Sequence, residues 1–346
     1  MISAFDHPWL GGLFADPELA AIWSPDAQLR NMLAFESAWS RHGHLAGLWS
    51  EADGAAAADA IAKVEITPID LAEGTARDGV CVPDLVKALK SQTGLSAVHT
   101  GTTSQDVIDS ATVISISATL DHLITRIEAL KMQMIALDSQ FGDMPMMGRT
   151  RMQAALPITV RDRLESWMLP LADHLDRITE LRPRVTRVQV GGAAGNRAKT
   201  TPEMVSAVAA ELGLLDNPKA WHAMRDGVGE FASVLSLISG TLGKIGQDVC
   251  LMAQQGIDEI ALAGGGGSSA MPHKQNPVLA ELLVTLARFN AVQLSGMHQA
   301  LVHEQERSGA AWALEWMIMP QMVQATGRGL TAASELTDQI TRIGQS

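Results

Sequence analysis

Val113, Ile116, Leu120, Leu123, Ile127, Leu130, Met134 and Leu137 step along the chain by three and four. That spacing is a heptad seam. It keeps one apolar stripe of a helix against neighbours lying nearly parallel or antiparallel to it. The seam predicts a long helix from about Asp106. A second seam runs through Leu164, Met168, Leu171, Leu175 and Ile178. A third, predicted over about 224–255, runs through Phe231, Val234, Ile238, Leu242, Ile245, Val249 and Met252. VLAELLVTLARFN, opening at Pro277, predicts a fourth helix, and the tail from His303 reads as helical. Residues 1–105 read as shorter amphipathic helices broken by turns. The expected class is therefore all-α, a long-helix bundle with no strand-rich region. The expected division is an N-terminal helical domain over 1–105, a central bundle over 106–300 and a short helical C-terminal remnant over 301–346. With 346 residues, 47% of them hydrophobic, a sizeable core is available.

Between the third and fourth helices lies G-G-G-G-S-S-A-M-P-H-K-Q-N-P, Gly264 to Pro277. Four successive glycines cannot hold a helix or strand, and each gives access to positive φ. The loop carries two hydroxyls, then a cation and an amide, and closes at a helix N-terminus. Backbone N–H groups in such a turn form a concave donor surface, and the helix start adds positive potential, so an anionic substrate suits it. A phosphate-binding Walker loop is excluded, because Lys274 lies between His273 and Gln275. A dinucleotide fingerprint is excluded because a helical stretch, not a strand, precedes the glycines. A plain Gly-Ser linker has no need of a fixed Lys and Asn between two prolines.

Two further segments carry polar groups. His99 to Ala111 reads H-T-G-T-T-S-Q-D-V-I-D-S-A, a hydroxyl-rich turn that on its own would be helix N-capping. Gly148 to Pro157 reads G-R-T-R-M-Q-A-A-L-P. Gly191 to Asn196 is expected to be a tight turn. His99 is read as a structural histidine. Glu304, Glu306 and Arg307 are expected to form an ion-pair cluster, and Trp9, Trp23, Trp39 and Trp49 to serve packing.

The formal charge of −12 disfavours nucleic acid and anionic membrane surfaces, which both need a basic face. An anionic substrate would then need local cations strong enough to override the global field. Two cysteines make no disulfide framework, so a reducing, cytoplasmic setting is expected. No leader sequence is read at the start, and no apolar stretch is read as long and clean enough to span a bilayer. The absence of tyrosine leaves Ser, His, Lys or a carboxylate for any proton transfer.

G-S-S-A-M-P-H-K-Q-N-P resembles the signature loop of the fumarase/aspartase superfamily, which includes adenylosuccinate and argininosuccinate lyases and a cycloisomerase branch. The resemblance implies that Ser268 is the catalytic base. It implies that Lys274 and Asn276 bind a substrate carboxylate, with Ser269 and Met271 of the same loop in the substrate-binding set. H-T-G-T-T-S-Q-D is similar to a family segment whose hydroxyls bind carboxylate, which assigns that role to Thr102, Thr103 and Ser104. G-R-T-R-M-Q-A-A-L-P resembles G-R-T-H-x-Q-x-A-x-P, so Arg149, Thr150 and Gln153 fit, but Arg151 stands where the family has histidine. The family fold is a five-helix bundle that builds a twenty-helix tetramer core, each active site drawing on three subunits. It uses no cofactor and no metal. Members commonly carry a further small C-terminal domain, which is expected to be largely missing here.

Arg151 points within the family. A lyase that expels an amine or water gains from a general acid on the leaving group, and histidine suits that role. A cycloisomerase, whose nucleophile is a carboxylate already on the substrate, does not need one. An arginine there would hold an extra carboxylate bidentately. FADPELAAIWSPDAQLRNMLAFESAWS and EITPIDLAEGTARDGVCVPDLV also resemble the cycloisomerase branch. The implied activity closes a 3-carboxylated muconate, a small anionic tricarboxylate of protocatechuate degradation, to a lactone. Sulfonated analogues are a further candidate substrate class. The alternatives are a fumarate-forming lyase of the adenylosuccinate type and a non-catalytic helical protein.

Overall fold

The computed structural model describes residues 3–267, 270–271 and 274–344. In chain order the helices are α1 (Gly11–Phe14), α2 (Pro17–Ile22), α3 (Pro25–His42), α4 (Glu51–Ile61), α5 (Ala72–Asp78), α6 (Val82–Thr93), α7 (Ser104–Phe141), α8 (Val160–Val185), α9 (Pro202–Glu211), α10 (Asp226–Met252), α11 (Val278–Gln299) and α12 (Ala310–Asp338). Two short 3-10 helices (Gly43–Ala46 and Pro68–Leu71) and two short antiparallel ladders accompany them, β1 (Pro145–Thr150) with β2 (Gln153–Thr159), and β3 (Ile260–Leu262) with β4 (Ile340–Ile343). The fold is an all-α bundle.

The heptad seams become the core. All the seam residues of α7 and of α10 are buried. On α8, Leu164, Leu171 and Ile178 are buried, while Met168 and Leu175 pack at the margin. Helices α7, α8, α10, α11 and α12 form a five-helix bundle: α10 packs against α8, α11 and α12, and α7 packs against α8 and α12. The shorter helices gather beside it, with α3 laid on α7 and flanked by α4 and α9. The tail therefore holds more than the short remnant expected. Its 29-residue α12 is a full member of the bundle.

Glycines set the tightest helix contact. A Cβ on Gly243 would stand 2.4 Å from Ala287 Cβ, and one on Gly246 would stand 2.4 Å from the Ala280 carbonyl oxygen. Small residues on α10 thus let α11 approach at backbone distance. Near the start of α7 the core is polar. Arg225 is buried between Asp109 (Nη1–Oδ2 2.6 Å) and Glu315 (Nε–Oε1 2.9 Å). Trp312 Nε1 donates to Asp109 Oδ1 at 2.9 Å. Burial opposes the charge on Arg225, but the two carboxylates more than offset it and hold the guanidinium charged. Such a triad is sensitive to losing one member, because the partner charges would be left buried and unpaired.

The bundle has two distinct ends. With 38 residues, α7 is about 57 Å long. At its start lie the 191–196 turn, His222 and the first turn of α10, tied by Gly192 N to Asp106 Oδ2 (2.9 Å) and by Arg225 to Asp109. At its far end lie the β1–β2 hairpin, Glu259, the β3–β4 ladder and the loop leading into α11.

One expectation is overturned. α7, α10 and α11 are each long and apolar enough to cross a membrane. For α7 and α10, 56% and 61% of the apolar window is buried within the fold, which accounts for the hydrophobicity. For α11 only 28% is buried; its fully exposed positions are mostly polar, with Val292 the large apolar side chain among them.

Gly246→Ala should lower stability by about 2–3 kcal/mol, because the new methyl meets backbone. Gly240→Ala, on the same helix but with open space around the added methyl, should raise it by about 0.5–1 kcal/mol. Thermal denaturation of the two variants checks this, and equal losses would contradict the packing argument.

Candidate active site

At the start of α7 the chain turns sharply at His99 (φ 55°) and Gly101 (φ 90°). His99 Nδ1 lies 2.5 Å from Oε1 of the fully buried Glu36, and Trp39 Nε1 donates to the Thr100 carbonyl at 3.0 Å. Both contacts fit a structural role for His99 and for Trp39. Asp106 organises the hydroxyl turn. Its Oδ2 accepts from Thr102 Oγ1 (3.0 Å), Thr103 N (3.1 Å) and Gly192 N (2.9 Å), and its Oδ1 lies 2.8 Å from His222 Nε2. Thr103 is the N-cap of α7 and Ser104 its first residue. The capping role and the expected ligand-binding role therefore fall on the same turn. The carboxylate holds Thr102 and Thr103 in place, while the positive end of α7 lies beneath any anion bound there.

The second segment forms a hairpin that sequence did not predict. Thr150 pairs with Gln153, leaving Arg151 and Met152 as a two-residue turn. Both are left-handed, at φ 48° and 68°. A type I′ turn needs positive φ at both positions and normally takes Asn-Gly. Placing arginine and methionine there costs about 1 kcal/mol or more per residue. Arg149 Nε and Nη2 donate to Oε1 of buried Glu259 at 3.3 and 3.0 Å. Arg149 is thus partly committed to a protein carboxylate, with Nη1 turned to no partner among the described residues. Arg151, Thr150 and Gln153 are exposed. Arg149, Arg151, Arg163 and Lys244 share a cavity of about 390 Å³ with Asp248 and Glu259.

The third segment closes at its base by a pair of backbone hydrogen bonds, Gly266 N to Asn276 O (2.9 Å) and Asn276 N to Gly266 O (3.0 Å). None of Gly264, Gly265 and Gly266 uses the positive φ open to glycine. They are needed for close approach instead: a Cβ on Gly266 would meet Val278 Cγ2 at 2.5 Å, and one on Gly264 would meet Gln339 at 2.8 Å. Lys274 N donates to Met271 O at 3.0 Å, and Met271 and Lys274 are exposed. Ser268 and Ser269 lie outside the described residues.

Within one chain the structure brings the hairpin and the described residues of the 264–277 loop to the same end of the bundle. It holds Thr102, Thr103 and Ser104 at the other end, most of the length of α7 away. Three participants were not foreseen. Asp106 stood inside the quoted motif, and its position three residues after Thr103 could have marked it as a capping carboxylate. His222 and Glu259 had no local pattern to mark them. Arg307 forms no ion pair with Glu304 or Glu306 among the described residues. Its guanidinium donates to the Ala193 carbonyl at 2.8 Å, pinning the 191–196 turn.

A family profile described as "Lyase" matches residues 15–292. The chain is 36% identical over 322 residues to the 3-carboxy-cis,cis-muconate cycloisomerase of Pseudomonas aeruginosa, which covers 89% of this chain and 70% of that protein. It is 32% identical over 322 residues to the N-acetyl-S-(2-succino)cysteine lyase of Enterococcus italicus, again covering 89% and 70%. The crystal structure of the 3-carboxy-cis,cis-muconate lactonizing enzyme from Pseudomonas putida superposes with a TM-score of 0.90 at 34% identity, over 97% of this chain and 78% of that one.

Asp106→Ala should cost about 3 kcal/mol, since hydrogen bonds to a buried carboxylate are lost together. Amide exchange at Thr103 and Gly192 should speed up by orders of magnitude relative to the rest of α7. Unchanged exchange at both amides would show that Asp106 does not organise the turn.

Proposed function

This chain belongs to the lyase family, with the fumarase/aspartase fold, and on that premise we propose that it is a cycloisomerase that closes 3-carboxy-cis,cis-muconate to a carboxymuconolactone. The observation that carries the choice is Arg151 at the hairpin turn among further cations, where the resembling amine- and water-expelling lyases keep histidine. The relatives named as cycloisomerases support it. A substrate carboxylate oxygen bonds to an alkene carbon. The electron pair moves to the adjacent carbon, beside a second carboxylate, and that carbon takes a proton. The charge that builds on the second carboxylate needs fixed donors and cations around it. Lys274, Asn276, the loop N–H groups and the Thr102–Ser104 turn are assigned to this. Ser268 is assigned the proton transfer. Acting as a base in the reverse direction requires a desolvated site with cations near it to lower the hydroxyl pKa.

A complete site requires more than one copy of the chain. Thr102 and Lys274 stand at opposite ends of a bundle about 57 Å long, so neither reaches the other within a subunit. Only 28% of the apolar window of α11 is buried by this chain, which supports further burial against a second copy. A homotetramer with shared active sites, as the family resemblance implies, meets both demands. Cys81 and Cys250 are free thiols, which suits a reducing, cytoplasmic setting.

One relative favours a second reading. The similarity to N-acetyl-S-(2-succino)cysteine lyase supports a lyase that releases its leaving group from a succino-substituted substrate.

Loss of conjugated-diene absorbance with 3-carboxy-cis,cis-muconate tests the proposal, with N-acetyl-S-(2-succino)cysteine and adenylosuccinate assayed alongside. Turnover of the muconate alone is expected, and Ser268→Ala should lower it by several orders of magnitude with the fold intact. Turnover of a succino substrate alone would replace the proposal with the second reading.

A further inference from the structure

The cavity between the hairpin turn, the first turns of α8 and the last turns of α10 is lined by four cations and two carboxylates. The carboxylates are already spent. Glu259 takes Arg149, and Asp248 takes Lys244 together with Trp167 Nε1 (2.7 Å). Arg151 has no hydrogen-bond or ion-pair partner among the described residues. Arg163 donates only to Met252 Sδ at 3.4 Å. Two guanidiniums are therefore left without a counter-charge in one cavity.

The composition runs against this. Acidic side chains outnumber Lys and Arg by 38 to 26, so a cationic excess at one place is not what the average surface supplies. The backbone runs against it as well. Arg151 occupies a left-handed turn position that favours glycine or asparagine, at an energetic cost. Strain kept at a bulky charged residue marks a site where the side chain is used. The rest of the wall is Met152, Leu251, Met252 and Ile257 with the amide of Gln254, a largely apolar surround that strengthens a charge-assisted contact.

We propose that Arg163 of α8 joins Arg151 in a subsite for one oxyanion group of the substrate, a carboxylate or a sulfonate, and that this pair sets the preference for a third anionic group. The inference rests on the proposed function for the identity of the substrate, but the subsite is defined by the cavity alone. A guanidinium on a helix and one on a turn can grip the two oxygens of a carboxylate from different directions. Lys244, already paired with Asp248, adds long-range potential rather than a direct contact. Arg163 lies outside every motif that the family resemblance rests on.

Isothermal titration of the full chain with tricarballylate and with glutarate tests this, the two probes sharing a carbon skeleton and differing by one carboxylate. The wild-type protein should bind tricarballylate roughly tenfold more tightly than glutarate, as one charge-assisted contact implies. Arg163→Gln should bind the two alike while melting within a few degrees of wild type. Arg163→Lys should keep part of the preference. Arg30→Gln, an equal charge change at an exposed position on α3, should behave as wild type. A wild-type preference that persists in Arg163→Gln overturns the proposal, as does a wild-type protein that shows no preference. A protein that fails to turn over the muconate yet shows the Arg163-dependent preference would sink the proposed function and leave the subsite standing. Muconate turnover with the preference untouched in Arg163→Gln would do the reverse.

Discussion

The length of α7 governs everything built on it. A 38-residue helix holds its first turn and its last turn about 57 Å apart, and no side chain bridges that distance. The polar groups of this chain are divided between those two ends. Asp106 organises the Thr102–Ser104 turn at one, and the hairpin, Glu259 and the loop into α11 occupy the other. A bundle of this kind is rigid because its seams are continuous. Rigidity gives precise positions at each end, and it also prevents one chain from folding the ends together. Chemistry that needs both must recruit another copy, and α11, the least covered of the three long apolar helices, offers a place to do so.

Charge is arranged at the same scale. The chain is acidic overall, yet it gathers cations at the hairpin end and buries others as structural ties. Arg225 is such a tie, enclosed by Asp109 and Glu315 and stacked over Trp221 with its guanidinium 4.8 Å from the ring centre. Arg149 lies between the two uses, held by Glu259 on one side and open on the other. The contrast matters for an anionic substrate. A fully paired arginine contributes little net potential, whereas Arg151 and Arg163 contribute nearly all of theirs.

The long helices were legible because a seam tolerates no slip: moving Leu120 or Ile127 off the stripe would expose it to water. The tail was legible as helical, but its place in the bundle depends on distant partners: in α12 Gly327 makes room for Leu19, whose Cδ1 would stand 2.2 Å from an added Cβ. The hairpin was invisible because its turn carries Arg-Met where the sequence code for a tight turn is Asn-Gly. Of the candidate residues, those in contiguous motifs could be named, and the structure sorts them by end. The pairing of Asp106 with His222 crosses 116 residues and that of Arg149 with Glu259 crosses 110, so neither leaves a trace in local pattern.

Subunit mixing tests most directly whether the two ends of the bundle meet only between copies of the chain. Thr102→Val damages one end and Ser268→Ala the other. Each variant alone should be nearly inactive on 3-carboxy-cis,cis-muconate. Unfolding and refolding the two together should restore measurable turnover, because some mixed sites then draw an intact turn from one subunit and an intact loop from another. No recovery, in mixed assemblies shown by mass to have formed, would mean that each chain builds its site alone and would contradict the sharing of sites between subunits.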